Sequence, residues 1–244
     1  MGRRVVGRSP DPYFGIDPIE ETILHPATTE SSLRPQLWRV CLLFLVVGVV
    51  FFPLILNPIT IGIFSKSDAE RLLHVEDNWA TIRLLFTGMG VADVGLGIAL
   101  SLWGRRVSSI HSERQARAAV VAAWLGLGGG AISLVTRWYL WTQDAIEFHE
   151  FFNNVPAWAI SIQLAAFLML SASMVTLGVL MVKGPMPRWL GIVFAACGLL
   201  VYPTGLLPLF FYVGAIVLGA AGLRRYRAAG PLAEAGMQAS PATV

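Results

Sequence analysis

A chain of 244 residues that is 55% hydrophobic and only 14% charged, with a mean hydropathy of +0.65, falls well short of the about 25% charge of a soluble domain. Several apolar runs reach the ~18 residues a helix needs to cross the hydrocarbon core, so an ordinary soluble domain is excluded and a polytopic membrane protein is expected. The net charge of +3 comes with no basic tract interleaved with aromatics, so nucleic acid is not expected as a partner.

Residues 1–36 are polar and proline-rich (Pro10, Pro12, Pro18, Pro26, Pro35), with no sustained apolar period. They are expected to form an extended or disordered cytoplasmic arm. The first apolar run begins only near Leu37, too late for a cleavable signal peptide, so the N-terminus is expected to be retained. The first span is predicted over 37–56, "LWRVCLLFLVVGVVFFPLIL", bounded by Asn57-Pro58. A polar loop follows, "SKSDAERLLHVEDNW", with room for a short surface helix.

The second and third spans are predicted over 80–103 and 118–141, joined by the basic loop "GRRVSSIHSERQAR". The acidic loop "TQDAIEFHEFFNNVP" leads to a fourth span over 157–182. The last apolar stretch, Trp189 to Leu223, would make a single helix of roughly 52 Å at 1.5 Å per residue, against a core of about 30 Å. The "YPTG" at Tyr202–Gly205 suits a tight turn, which divides the stretch into spans over 189–202 and 205–223. The expected fold is all-α, a polytopic six-helix transmembrane bundle with a cytoplasmic tail over 224–244.

Charge orients it. Arg105, Arg106, Arg114 and Arg117 follow span two, Lys183 and Arg188 follow span four, and Arg224, Arg225 and Arg227 follow span six. The loop after span three carries Asp144, Glu147 and Glu150 with no Lys or Arg. Both termini are therefore expected on the cytoplasmic side of a bacterial inner membrane, the bacterial reading coming from sixteen arginines against two lysines. Trp38, Trp103 and Trp189 are expected to anchor the inner interface, and Trp79, Trp138, Trp141 and Trp158 the outer one. Cys41 and Cys197 both fall in the cytoplasmic half, where a disulfide is not expected.

Asp93 lies near the middle of span two among Gly88, Gly90, Gly95 and Gly97, small residues that let another helix approach closely. Arg137 lies about one turn inside the outer end of span three. Side chains lean toward the N-terminus of their own helix, so these two lean toward each other from antiparallel spans. Gln163 falls at a similar depth. Two readings stay open: Asp93, Arg137 and Gln163 line a polar cavity for a proton, ion or small ligand, or the group is structural, a buried pair setting helix register or a protonated Asp93 held by hydrogen bonds. Arg83, at the outer end of span two, is expected to snorkel to the interface.

The outer loops bring His74, Glu76 and Asp77 to the same side as Glu147, His149 and Glu150. That set is either a divalent-metal site or a solvated acidic surface. No HExxH, GxSxG or CxxC is present, and Ser161, Ser171, Ser173 and Thr176 are expected to bond within the bundle. No cofactor is implied.

The stretches "LLHVEDNWATIRLLFTGMGVADVGLGIALSLW" and "MPRWLGIVFAACGLL", with a final span ending in "GLRR", resemble an uncharacterised bacterial family of six-span membrane proteins, known as a domain of unknown function. The resemblance implies a six-span integral membrane protein and supplies no catalytic residues. The function expected first is a non-enzymatic accessory subunit, meeting lipid and partner proteins through its Gly-rich helix faces and N-terminal arm. The alternatives are a small-solute or proton-coupled permease using Asp93 and Arg137, and an enzyme using the outer His/carboxylate group.

Overall fold

A computed structural model describes residues 26–109, 112–183, 186–200 and 209–238. All regular structure among them is helical: α1 (Pro26–Ile55), α2 (Pro58–Ser65), α3 (Asp68–Ser108), α4 (Glu113–Tyr139), α5 (Ala145–Asn153), α6 (Ala157–Val182), α7 (Arg188–Leu200) and α8 (Leu209–Gln238). A single 3-10 turn, Leu140–Thr142, follows α4. Among the described residues four helices are long and apolar enough to cross a membrane, with windows in α1, α3, α4 and α6, while α7 is a shorter apolar helix. The turn expected at Tyr202–Gly205 lies outside the described residues, as do residues 1–25 of the expected arm.

The helices form a closed circuit. Each of α1, α3, α4, α6, α7 and α8 packs on the next, and α8 returns to α1. Their inner faces meet in one core that includes Phe44, Phe51, Leu96, Leu100, Leu170, Met174, Phe194 and Phe211. Small residues make the α3–α4 seam tight. A Cβ placed on Gly97 would lie 2.5 Å from the backbone oxygen of Gly126, and one on Gly130 would lie 2.5 Å from the backbone oxygen of Asp93. Any side chain there would force the two backbones apart. The glycine faces expected to meet partner proteins are thus occupied by helices of the same chain.

The polar stretch after span one is not a loop. Asn57 caps α2 by accepting from the Ile59 N–H at 2.9 Å, with Pro58 at the first helical position, where its missing N–H does no harm. Ser67 then donates its backbone N–H (3.3 Å) and its hydroxyl (2.8 Å) to the Glu70 carboxylate, opening α3. From there no proline interrupts the chain, so α3 runs unbroken for 41 residues, roughly 62 Å at 1.5 Å per residue. The acidic loop also folds. Asp144 and Glu147 make a reciprocal capping box, Glu147 N–H to Asp144 Oδ1 at 2.8 Å and Asp144 N–H to Glu147 Oε2 at 3.2 Å, and α5 follows.

A second, smaller core, Ile63, Val75, Ile82 and Phe148, welds α2 and α5 to the first turns of α3 as a cap. At the other end α1 begins at Pro26, ahead of its apolar run, and α8 continues past Arg225 to Gln238, so the expected arm and tail are in part helical.

Two interfacial assignments change. Trp103 is 3% exposed and packs edge-on against Phe44, so it is a core residue rather than an interfacial anchor. Arg83 does not reach freely to the interface. Its guanidinium donates to the Gln143 carbonyl and sits over the rings of Trp79 and Trp141. An aromatic or arginine at a span end has either option, and here the cap supplies closer partners than water.

Candidate functional site

Asp93 is fully buried on α3. Its Oδ2 accepts from the Ser133 hydroxyl at 2.5 Å and from Arg137 Nε at 3.1 Å, and its Oδ1 accepts from the Tyr212 hydroxyl. Ser133 and Arg137 are four apart on α4 and therefore share the face that Gly130 holds against α3. Tyr212 comes from α8, where its ring stacks on Phe51 of α1 with centroids 3.6 Å apart and planes at 5°. The two leanings expected from helix direction thus end in a direct ion pair, with the Arg137 side chain 12% exposed.

Gln163 does not touch Asp93. It donates through Nε2 to the Ser133 oxygen at 3.3 Å and accepts from the Thr136 hydroxyl at 2.7 Å, so α6 joins the group at one remove. Arg137 Nη1 also points at the Met89 sulfur, 3.6 Å away, a weak acceptor. Four helices, α3, α4, α6 and α8, are therefore tied by one hydrogen-bonded group, and Phe51 of α1 covers its tyrosine.

A buried carboxylate with three donors, one of them cationic, is well matched. Desolvation of both charges works against the pair, and the added hydroxyl donors help offset it. Tyr212 was not among the residues expected here. A tyrosine inside an apolar run must still find a partner for its hydroxyl, which was the available signal.

The outer His/carboxylate set does not assemble. His74 Nε2 meets the Ile59 carbonyl at 2.9 Å. His149 Nε2 lies 3.3 Å from Asp68 Oδ1 and 3.1 Å from Asn153 Nδ2. Glu147 serves the α5 cap, while Glu76, Asp77 and Glu150 are exposed. Among the described residues no three His, Cys, Asp or Glu side chains converge as metal ligands. The histidines instead fasten the cap. His149, Asn153, Asp68 and Arg71 form a cluster joining the end of α5 to the start of α3, with Arg71 Nη1 donating to Asn153 Oδ1 at 2.6 Å.

Compared with protein-family models, with curated proteins and with solved structures, the chain matches none.

Proposed function

We propose that the chain is a non-enzymatic membrane subunit whose buried polar group fixes the register of its own helix bundle. In this reading six helices cross a bacterial inner membrane, α7 and α8 adding to the four longer ones, and both ends lie in the cytoplasm. The basic residues Arg105 and Arg106 in the last turn of α3, Lys183 directly after α6, and Arg224, Arg225 and Arg227 beyond the apolar part of α8 support that orientation. So does the packing of α1 on α8. Gly219 lies against Cys41 and Leu45, and Gly48 against Tyr212, which makes the helices antiparallel and puts the start of α1 beside the end of α8.

The observation that carries the reading is the enclosure of Asp93. Its carboxylate is 0% exposed and both oxygens are occupied by donors from two other helices. A carrier site must be reached by its cargo, whereas a register lock must be closed. Since the glycine faces are used internally, partner contacts fall to the helical extensions, α1 before Leu37 and α8 after Leu223, which project at one end. Purification in mild detergent from the native host, with mass spectrometry of co-purifying proteins, tests this. Defined partners are expected, lost when residues 1–36 and 226–244 are removed. A protein that purifies alone overturns the subunit reading.

A proton-coupled carrier is the second reading, and one observation favours it. The chain Asp93–Ser133–Gln163–Thr136 continues the polar group from the fully buried acid to half-buried side chains. Proton flux into proteoliposomes that disappears in Asp93→Asn, with the protein still folded, would establish it in place of the first.

A further inference from the structure

Packing gathers cations from three sides of the bundle at the end opposite the cap. The antiparallel register of α1 and α8, with Gly48 against Tyr212 and Gly222 against Cys41, brings Arg39 level with the stretch ending in Arg224 and Arg225. Phe167 meets Phe211 with ring centroids 6.1 Å apart, and Met174 meets Gly214, so α6 and α8 run in the same direction. α7 turns back along α6, with Gly178 against Ala195 and Gly191 against Val182. Lys183 and Arg188, at that junction, therefore stand at the same end as the α1 and α8 arginines. All of these side chains are exposed, and none makes an ion pair among the described residues. Their own helices supply no balancing charge. From Trp38 to Ile55, and along α6, α7 and α8 as far as Arg225, the sequence holds no Asp or Glu. Glu113, at the start of α4, is already taken by Arg117.

A second observation sets the depth of these cations. Trp38 and Trp189 stand next to Arg39 and Arg188 in sequence and are 41% and 53% exposed. An exposed indole at the end of an apolar helix belongs at the boundary between hydrocarbon and headgroups. Phe44 of α1 and Phe194 of α7 meet edge-on with ring centroids 5.8 Å apart. Trp38 and Trp189 precede those two rings by nearly the same length of helix, so the indoles mark one level. The neighbouring guanidinium groups lie within reach of headgroup phosphates at that level.

We propose that this end of the bundle, across α1, α7 and α8, binds the phosphodiester headgroups of anionic phospholipid. The guanidinium fork matches two phosphate oxygens at once, and an unpaired basic cluster at a membrane surface is drawn to an anionic leaflet. A zwitterionic lipid brings its own ammonium group, which the same cations repel, so the preference is for a net negative headgroup. The proposal rests on the six-span reading and is independent of the role of Asp93.

The full chain is placed in nanodiscs of phosphatidylglycerol and phosphatidylcholine in equal amounts, and native mass spectrometry records the lipid that stays bound on release. Phosphatidylglycerol is expected in excess. Arg188→Gln and Arg225→Gln, both at exposed positions that the fold does not need, should each lower that excess about fivefold. Lys66→Gln, an exposed cation at the cap end, should leave it unchanged. Equal retention of the two lipids, or a wild-type excess in the double variant Arg188→Gln with Arg225→Gln, overturns the proposal. So does a double variant that loses a co-purifying protein while its lipid ratio stays at the wild-type value, which would assign the cations to that partner. Alkaline carbonate extraction of native membranes keeps the two readings apart. An integral protein without lipid preference overturns this proposal alone, whereas a protein released from the membrane overturns the six-span reading and this proposal with it.

Discussion

Tyr212 donates its phenolic hydroxyl to Asp93, joining α8 to α3 across 119 positions of sequence. The bond completes the carboxylate's shell, since Ser133 and Arg137 both approach the other oxygen. It also fixes the rotation of α8, because the same ring is stacked face to face on Phe51. One side chain thereby sets the relation of three helices. The stability of the bundle should be unusually sensitive to it.

Tyr212→Phe keeps the stacking ring and removes only the hydroxyl. Leaving Asp93 Oδ1 without a donor should cost about 1–3 kcal/mol. Reversible unfolding in mixed micelles measures this, and an unchanged midpoint would show that the bond contributes nothing to the fold.

Asp93→Leu strands the Arg137 charge and should cost about 3–5 kcal/mol, while the double replacement Asp93→Leu with Arg137→Met should recover most of that loss. The double-mutant cycle separates the worth of the pair from the penalty for a single orphaned charge. If the double variant were as unstable as Asp93→Leu alone, the two side chains would not be acting as a pair.

Gly130→Ala should destabilise by about 1–3 kcal/mol, because the added methyl meets the Asp93 backbone oxygen and α3 cannot yield without breaking its contacts. Gly128→Ala is the contrast. Its methyl would meet only the end of the Met169 side chain, which can rotate away, so the change should be near neutral. Equal effects of the two substitutions would remove the α3–α4 seam as the explanation.

Phe148→Ala empties the centre of the cap core, where Phe148 is 1% exposed against Ile63, Val75 and Ile82. The loss should be about 3–5 kcal/mol of local stability, freeing α5 while the membrane bundle stays folded. Limited proteolysis checks it, with faster cleavage expected between Thr142 and Pro156 and none added elsewhere.

Cys41 and Cys197 are both buried as free thiols. A membrane-permeant maleimide should label neither in the folded protein and both after denaturation. Rapid labelling of either in the native state would mean that the α1–α8 or α6–α7–α8 packing opens.

The apolar runs, the central acid and its arginine were legible from the chain alone, since hydropathy and the direction in which helical side chains lean are local properties. The capping signals were equally local and were passed over. Ser67 with Glu70, and Asp144 with Glu147, carry the spacing that starts a helix, yet both sit in polar stretches that hydropathy reads as loops. Tyr212 could not be placed in the same way. Nothing near position 212 says which helix its hydroxyl will face, because that depends on the circuit closing between α8 and α1. Trp103 is the converse case. A tryptophan at a span end suits water or core equally, and the Phe44 edge decided it.

The 41-residue α3 has a further consequence. At roughly 62 Å it is about twice as long as the hydrocarbon core is thick. One unbroken helix therefore carries Asp68 and Val75 in the cap and both Asp93 and Trp103 in the bundle. The same helix thus serves two cores, the cap through Val75 and Ile82 and the bundle through Leu96 and Leu100.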